Sequence, residues 1–90
     1  MLKPDIARVI AEQTGLSLDR ATEVITAATD QISAAAARGE DVTLLGFGSF
    51  HVRTRAAREG RHPQTGAPLH IKASRTVAFR PGKALREAVQ

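Results

Sequence analysis

The residues best suited to chemistry are cations that recur through the second half of the chain. Arginine predominates among them, and its planar fork of N–H donors matches the oxygens of phosphate groups. Residues 46–90 hold nine Lys or Arg against two carboxylates, whereas residues 1–45 hold four against seven, so the halves carry +7 and −3. A cationic excess confined to one half favours an anionic polymer as partner. The cations concerned are Arg53, Arg55, Arg58, Arg61, Lys72, Arg75, Arg80 and Lys83.

The three histidines, by contrast, do not predict an enzyme. We expect no carboxylate to orient His51, His62 or His70 in the way that catalysis or metal binding requires. The chain has no cysteine, which excludes a disulfide, a thiolate metal site and a cysteine nucleophile. No apolar stretch reaches the length of a membrane span. We therefore expect no enzymatic activity, no metal, no cofactor, no small-molecule substrate and no membrane partner.

Hydrophobic periodicity predicts an α+β fold in a single domain. Apolar residues recur at three- and four-residue spacing over residues 4–14 and 18–37, which predicts two helices, and Ser17 is a suitable N-cap for the second. The period then becomes two, which predicts strands, and the chain closes with a short helix. The expected divisions of the domain, 1–90, are a helical hairpin over 1–39, a sheet over 40–80 with an arm at about 53–75, and a C-terminal helix over 81–90.

The two long strands of this sheet have two different faces. Phe50 and Val52 alternate with polar residues such as Arg53, so one face suits a core and the other carries charge. Arg58 and Arg75 break the alternation, and a bulge or a strong twist would restore a common face. Because the distal strands hold too few apolar residues to bury both faces, we expect a projecting ribbon that is mobile until a partner binds.

The segment GRHPQTG, residues 60–66, lies at the tip of this ribbon. As an isolated turn it fits type I, with Pro63 at position i+1 and a glycine at i+3. A rigid ring beside Arg61 can also enter a base step of duplex DNA, unstack it and kink the duplex. We expect the ring to do both, with His62 and Gln64 beside it at the DNA.

Three segments together resemble the bacterial HU and integration host factor family of DNA-bending proteins. They are GFGSF at 46–50, RAAREGRHPQTG at 55–66 and FRPGKALREAV at 79–89. The resemblance covers the whole chain and implies an intertwined homodimer, or a heterodimer with a paralogue, in the bacterial cytoplasm and its nucleoid. It further implies a helical-hairpin body, a three-stranded antiparallel sheet, a short C-terminal helix and long β-ribbon arms. Such arms embrace the minor groove of double-stranded DNA and bend or compact it.

The same resemblance assigns roles to individual residues. Pro63 corresponds to the intercalating proline, and Lys3, the backbone of Gly46 and Lys83 correspond to phosphate contacts on the body. The aromatic residues that match the dimer core are Phe47, Phe50 and Phe79. The DNA-binding set is Lys3, Gly46, Arg53, Arg55, Arg58, Arg61, His62, Pro63, Gln64, Lys72, Arg75, Arg80 and Lys83.

The chain departs from the family pattern at a few positions. His62 replaces the usual Asn, Val77 stands where HU proteins often have Pro, and Pro68 and His70 are less usual. SRTVAFRPG is closer to integration host factor, whereas RAAREGR and GKAL are closer to HU. Two interpretations therefore stay open, a bender with little sequence specificity and a site-preferring bender similar to integration host factor.

Two further kinds of nucleic-acid binding are alternatives. Residues 6–25 have the helix, glycine turn and second helix of a helix-turn-helix. That half of the chain is acidic, however, and Asp19 and Glu23 accompany Arg20 on the second helix, which suits a major groove poorly. A basic ribbon can also bind RNA, although stacking on unpaired bases needs exposed aromatic side chains, and the phenylalanines are assigned to the core.

Overall fold

The computed structural model describes all 90 residues and contains three helices and five strands. Strands β1, β2 and β5 form an antiparallel sheet in the order β1-β2-β5, and β3 pairs with β4 in a separate two-stranded ribbon. The α+β class predicted from the sequence is confirmed, and both long helices lie within one residue of their predicted bounds. The elements are α1 (Lys3–Thr14), α2 (Leu18–Ala37), β1 (Val42–Leu44), β2 (Gly48–Arg55), β3 (Arg58–Arg61), β4 (Pro68–Ile71), β5 (Ser74–Pro81) and α3 (Lys83–Ala88).

Local hydrogen bonds fix where α2 begins and ends. The hydroxyl of Ser17 accepts the Arg20 N–H at 3.1 Å, which confirms Ser17 as the N-cap. At the other end Gly39 adopts the left-handed region, with φ +78°. Its N–H donates to the Ala36 carbonyl and the next N–H donates to the Ala35 carbonyl, each at 2.9 Å, in a Schellman arrangement. The Ala37 carbonyl receives no backbone donor in this arrangement.

Helices α1 and α2 pack through small residues and leave their larger apolar residues partly uncovered. Ala7 and Ala21 are completely buried where the two helices meet, but only four residues of the chain are buried in all. Ile6 and Val24 remain 41% and 50% exposed, although both lie on the predicted apolar faces. The core of a single copy is therefore incomplete, as expected for a chain of this length.

The three phenylalanines meet where the sheet faces the helices. The ring of Phe79 lies 5.4 Å from that of Phe47 and 5.0 Å from that of Phe50, between centroids, in tilted arrangements. Gly48 lies against this cluster, and a Cβ there would be 2.6 Å from the Phe79 ring, so no larger residue fits without a shift. Phe47 and Phe79 are still 46% and 41% exposed, so the cluster is open on one side.

The ribbon keeps one register from its base to its tip. Pairing runs from Gly48–Pro81 to Arg55–Ser74, stops, and resumes with Arg58–Ile71. Two residues are unpaired on each strand, at 56–57 and 72–73, so neither strand gains an extra residue. Of the two expected alternatives, a bulge or a strong twist, the bulge is wrong, because a bulge requires unequal numbers of residues on the two strands.

Asp41, in the connection between α2 and β1, anchors the base of strand β2. One carboxylate oxygen lies 3.0 Å from Nδ1 of His51, and the other accepts the Val52 N–H at 3.2 Å. The opposite ring nitrogen of His51 lies 2.7 Å from the Ser49 hydroxyl. The expectation that no carboxylate orients His51 is thus wrong, and the carboxylate serves to attach the helix–strand connection to the ribbon.

We predict that Asp41→Asn destabilises the fold near neutral pH and that its effect disappears in acid. The bond to His51, and then that to the Val52 N–H, lower the pKa of Asp41 below its ordinary 3.8. The folded state holds the Asp41 proton less tightly than the unfolded chain does. The stabilisation by the Asp41 carboxylate is therefore complete above the ordinary pKa, and it is lost as the pH falls through the lower pKa of the folded state. Urea denaturation at about pH 7 and about pH 2.5 measures the difference.

Asp30→Asn is the control for this variant, because the Asp30 carboxylate has no hydrogen-bond or ionic partner. Its urea midpoint should change little at either pH. A deficit of Asp41→Asn that persisted unchanged in acid would contradict the role of the carboxylate charge.

Candidate nucleic-acid interface

The ribbon projects far from the helical part of the chain. The molecule is 61 Å long and 25 Å across at its narrowest, with a radius of gyration of 19.3 Å. A compact chain of this length would have a radius of roughly 12 Å. Nearly all residues of β3, β4 and the segment between them are exposed. An extended, exposed ribbon of this kind has a large contact surface but little packing of its own.

The paired strands β2 and β5 separate apolar and cationic residues onto opposite faces. Cross-strand partners point to the same side, so Phe50, Phe79, Val52 and Val77 share the face toward the helices, here called the inner face. On the opposite, outer face three cations each lie across from a small polar residue, in the pairs Arg80–Ser49, Arg53–Thr76 and Arg55–Ser74. Cations of the ribbon and its base that have no hydrogen-bonding or ionic partner within the chain are Arg53, Arg55, Arg58, Lys72 and Arg80.

The break in pairing concentrates three of these cations. A shallow depression at residues 56–57 and 72–73 is lined by Arg55, Arg58 and Lys72. No carboxylate lines it. Like charges this close repel each other, so the depression favours an anion that neutralises them.

The tip is a wider turn than the predicted type I turn. With Pro63 at i+1, residue i+3 is Thr65 and not a glycine, and the closing bond runs from the N–H of Gly66, at i+4, to the His62 carbonyl at 2.8 Å. Gly66 has φ +70°, a conformation that favours glycine. Pro63 still follows the first residue of the turn, as predicted, and is exposed at its outer end.

The side chains of the two residues before Pro63 hold the tip in shape. Nη1 of Arg61 donates to the Gly66 carbonyl at 3.1 Å, and Nδ1 of His62 accepts the Gln64 N–H at 3.3 Å. The second bond spans two residues, the pattern by which an Asn side chain stabilises a turn. His62, at the position where the family usually has Asn, therefore makes a bond of the same kind.

The remaining histidine also has a carboxylate partner. Nδ1 of His70 lies 3.0 Å from Glu59, directly across the β3–β4 pair, so the expectation of an unpartnered His70 is wrong. No group of three or more His, Asp or Glu side chains is arranged to hold a metal ion. No helix has the length and apolar character needed to cross a membrane.

Arg75 does not lie with the other cations of the ribbon. Its Nη2 donates to the Ala36 and Ala37 carbonyls, at 3.1 and 3.4 Å, at the end of α2. By register it shares the inner face with Val52 and Val77. Its departure from the alternation thus has a local cause, the bonds to the end of α2, that requires neither a bulge nor a twist.

The predicted contacts on the body are separated from the arm. Lys83 lines a concavity with Gly46, Ser49 and Arg80 at the opposite end of the sheet from the ribbon tip, and its Nζ lies 3.9 Å from Glu87. Gly46, with φ +85°, forms the turn between β1 and β2. Lys3 donates to the Thr26 hydroxyl at 2.6 Å on the helical side.

Two residues with clear positions in the site have no counterpart in the sequence-based prediction. Asp41 and Glu59 each hold a histidine, and the sequence pattern assigns a role to neither. A signal for Glu59 does exist, because the register that pairs Arg58 with Ile71 also pairs Glu59 with His70. For Asp41 the partner is ten residues away across a turn, and no periodicity indicates it.

Comparison with known proteins places these features in a family. The family model described as bacterial DNA-binding protein matches residues 1–90. DNA-binding protein HU-alpha of Pseudomonas aeruginosa is 54% identical over 89 residues, covering 99% of each chain, and DNA-binding protein HU of Geobacillus stearothermophilus is 49% identical over the full length of both. An Anabaena HU–DNA cocrystal structure matches with a TM-score of 0.82 at 44% identity, covering 99% of this chain and 97% of that one. The chain therefore belongs to the bacterial DNA-binding protein family.

Proposed function

We propose that this chain is an architectural protein, and not an enzyme, that binds duplex DNA and bends it with little sequence specificity. The observation that supports this most strongly is the projecting ribbon with four cations, Arg53, Arg55, Arg58 and Lys72, that have no hydrogen-bonding or ionic partner within the chain. The family model and the names of the relatives, all DNA-binding proteins, support the same function. Its place of action is the nucleoid in the bacterial cytoplasm.

The ribbon binds DNA chiefly through phosphates along a minor groove. A ribbon of only two strands can follow the minor groove, ordinarily about 6 Å wide, once bending of the duplex opens it. Arg53 and Arg55 point to the same side of β2, and the depression at the break adds two more cations. Such a surface recognises the charge of the backbone, which is the same for every sequence.

Pro63 is the wedge that kinks the duplex. Its ring is exposed at the outermost turn, and the bonds made by Arg61 and His62 keep this turn ordered. An apolar ring that enters a base step unstacks it at a cost of a few kcal/mol, which the additional contacts of a bent duplex offset. Gln64 lies next in the turn, within reach of the same groove.

Two copies are needed to hold DNA from both sides. The phenylalanine cluster and the helices leave a set of large apolar side chains partly exposed, and a second copy that covers them forms the intertwined dimer with two arms. A paralogue with the same apolar surface would form a heterodimer. The exposed set includes Ile6, Val9, Val24, Leu44, Phe47, Val77 and Phe79.

The alternatives fit the site less well. In α2, Arg20 forms an ion pair with Glu23 at 2.7 Å, so the second helix of the candidate helix-turn-helix presents no free arginine there. Sequence-specific RNA binding calls for exposed aromatic stacking surfaces beside the cations, whereas the phenylalanines cluster at the base of the sheet and residues 51–78 contain no Phe, Tyr or Trp. The relatives named HU favour low sequence specificity over a site-preferring bender.

Binding should weaken steeply with salt, and arm cations should contribute to this dependence. The logarithm of affinity should fall by about 0.9 per logarithm of salt for each phosphate neutralised. Arg58→Ala should reduce affinity roughly five- to tenfold on every duplex and make the slope shallower by about 0.9 for each phosphate that Arg58 neutralises. Fluorescence anisotropy over a salt series on random, nicked and candidate-site duplexes, and on single-stranded RNA, measures both quantities.

Arg20→Ala is the matched control for that series, since Arg20 is an exposed arginine already paired on α2. It should leave affinity and slope nearly unchanged. A large loss of affinity with Arg20→Ala would favour the helix-turn-helix, and tighter binding to RNA than to any duplex would favour the RNA alternative. A strong preference for one candidate site would favour the site-preferring bender.

Pro63→Ala should reduce DNA bending more than DNA binding. The variant keeps every cation but lacks the rigid ring, so affinity should fall less than about threefold while ligase-mediated closure of short DNA circles falls clearly. Pro68→Ala is the control, because Pro68 lies in the same ribbon at the start of β4. Equal ring closure by wild type and Pro63→Ala would contradict the wedge.

A further inference from the structure

We propose that Arg75 is a positioning residue that attaches the base of the arm to the end of α2 and so sets the direction in which the arm leaves the body. The inference rests on the proposed DNA-bending function, and it assigns to Arg75 a role other than phosphate binding. The arms can grip a bent duplex only if they emerge in a defined direction. Arg75 acts on the DNA through the arm and does not touch the DNA itself.

The end of α2 has no cation that is free to bind its last carbonyls. No basic residue lies in its last turn, and the C-cap residue, Arg38, is paired with Glu40 at 3.1 Å. The Schellman arrangement leaves the Ala37 carbonyl without a backbone donor. The Arg75 guanidinium supplies a donor and a positive charge to the Ala36 and Ala37 carbonyls, where both are favourable.

The position of Arg75 in the ribbon suits this attachment. It is the one charged residue on the inner face of the β2–β5 pair, opposite Thr54 and next to the last pair, Arg55–Ser74. Beyond that pair the strands separate for two residues. Arg75 is therefore close to the last point at which the body can direct the arm.

Strand β2, the partner of β5 in the ribbon, is attached by a different residue to the connection that follows α2. Asp41 holds β2 through His51 and Val52, while Arg75 holds β5 to the end of α2, only a few residues earlier in the chain. Gly39 lies between the two attachments, and a Cβ there would meet Nη2 of Arg75 at 3.4 Å. Both strands are thus fastened to one short segment, which opposes rotation of the arm about its own axis.

The test compares Arg75→Gln with Arg55→Gln, which removes the same charge from the adjacent register pair but from the outer face. Anisotropy over a salt series gives affinity and slope, and energy transfer between dyes at the two DNA ends gives the distribution of bend angles. For Arg75→Gln we expect affinity to fall roughly two- to tenfold, with an unchanged salt slope and a broader distribution of bends. For Arg55→Gln we expect a slope shallower by about 0.9 for each phosphate that Arg55 neutralises, with the bend distribution retained.

Hydrogen exchange in the free dimer supplies a measurement that does not depend on DNA. Arg75→Gln should accelerate exchange of the amides at residues 39–40 and at the end of β5 nearest the arm, whereas Arg55→Gln should not. Arg75→Lys, which keeps the charge but not the guanidinium fork, should restore exchange and bending only in part. If Arg75→Gln fails to fold, Arg75→Lys decides, because wild-type exchange and a wild-type bend distribution in this variant would show that the guanidinium bonds to α2 are not needed and would contradict the inference.

The possible outcomes separate this inference from the proposed function. If Arg75→Gln makes the slope shallower as Arg55→Gln does and leaves the bend distribution and exchange unchanged, Arg75 is a phosphate contact and the inference is wrong. If the wild-type protein binds duplex DNA without salt dependence or without bending it, the proposed function fails instead.

Discussion

The large apolar surface that a single copy leaves uncovered is the constraint on which the rest of this account depends, and we propose that a second copy covers it. A single copy buries only Ala7, Ala21, Ala35 and Gly48, and leaves the phenylalanine cluster open on one side. Fully burying a large apolar side chain stabilises a fold by about 1.5–3 kcal/mol, and half-exposed ones obtain only part of this. Covering these side chains with a second copy supplies the missing stabilisation and brings a second arm to the same DNA.

The part of the ribbon near the body and the part beyond residue 55 differ because only the first can pack against this apolar surface. Near the body its inner face joins the core, whereas beyond residue 55 it has no core to join, and Leu69 and Ile71 are its only large aliphatic residues. Such a segment is stabilised mainly by its own backbone pairing and by a few side-chain bonds, so DNA can order it further on binding. The attachments made by Asp41 and Arg75 lie near the boundary between the part of the ribbon that packs on the body and the part that projects from it.

Sequence patterns predicted the parts of the fold that depend on neighbouring residues. The helix bounds follow from apolar periodicity and from Ser17, and the two-faced strands follow from alternation. The equal break in both strands, the wider tip turn and the partners of Arg75 did not follow. Each depends on which residues become opposite or adjacent after the chain has folded back. Arg75 interrupts the alternation of apolar and polar residues in its strand, and this interruption alone could not distinguish a twisted strand from a side chain directed at a helix end.

The central claim, that the fold is completed by a second copy, is tested most directly by sedimentation equilibrium over a range of protein concentrations, together with thermal unfolding of the same samples. The account predicts a species of twice the 9.6 kDa chain mass and a Tm that rises with protein concentration, because unfolding is then coupled to dissociation. A stable folded species of the single-chain mass, with a Tm independent of concentration, would contradict it.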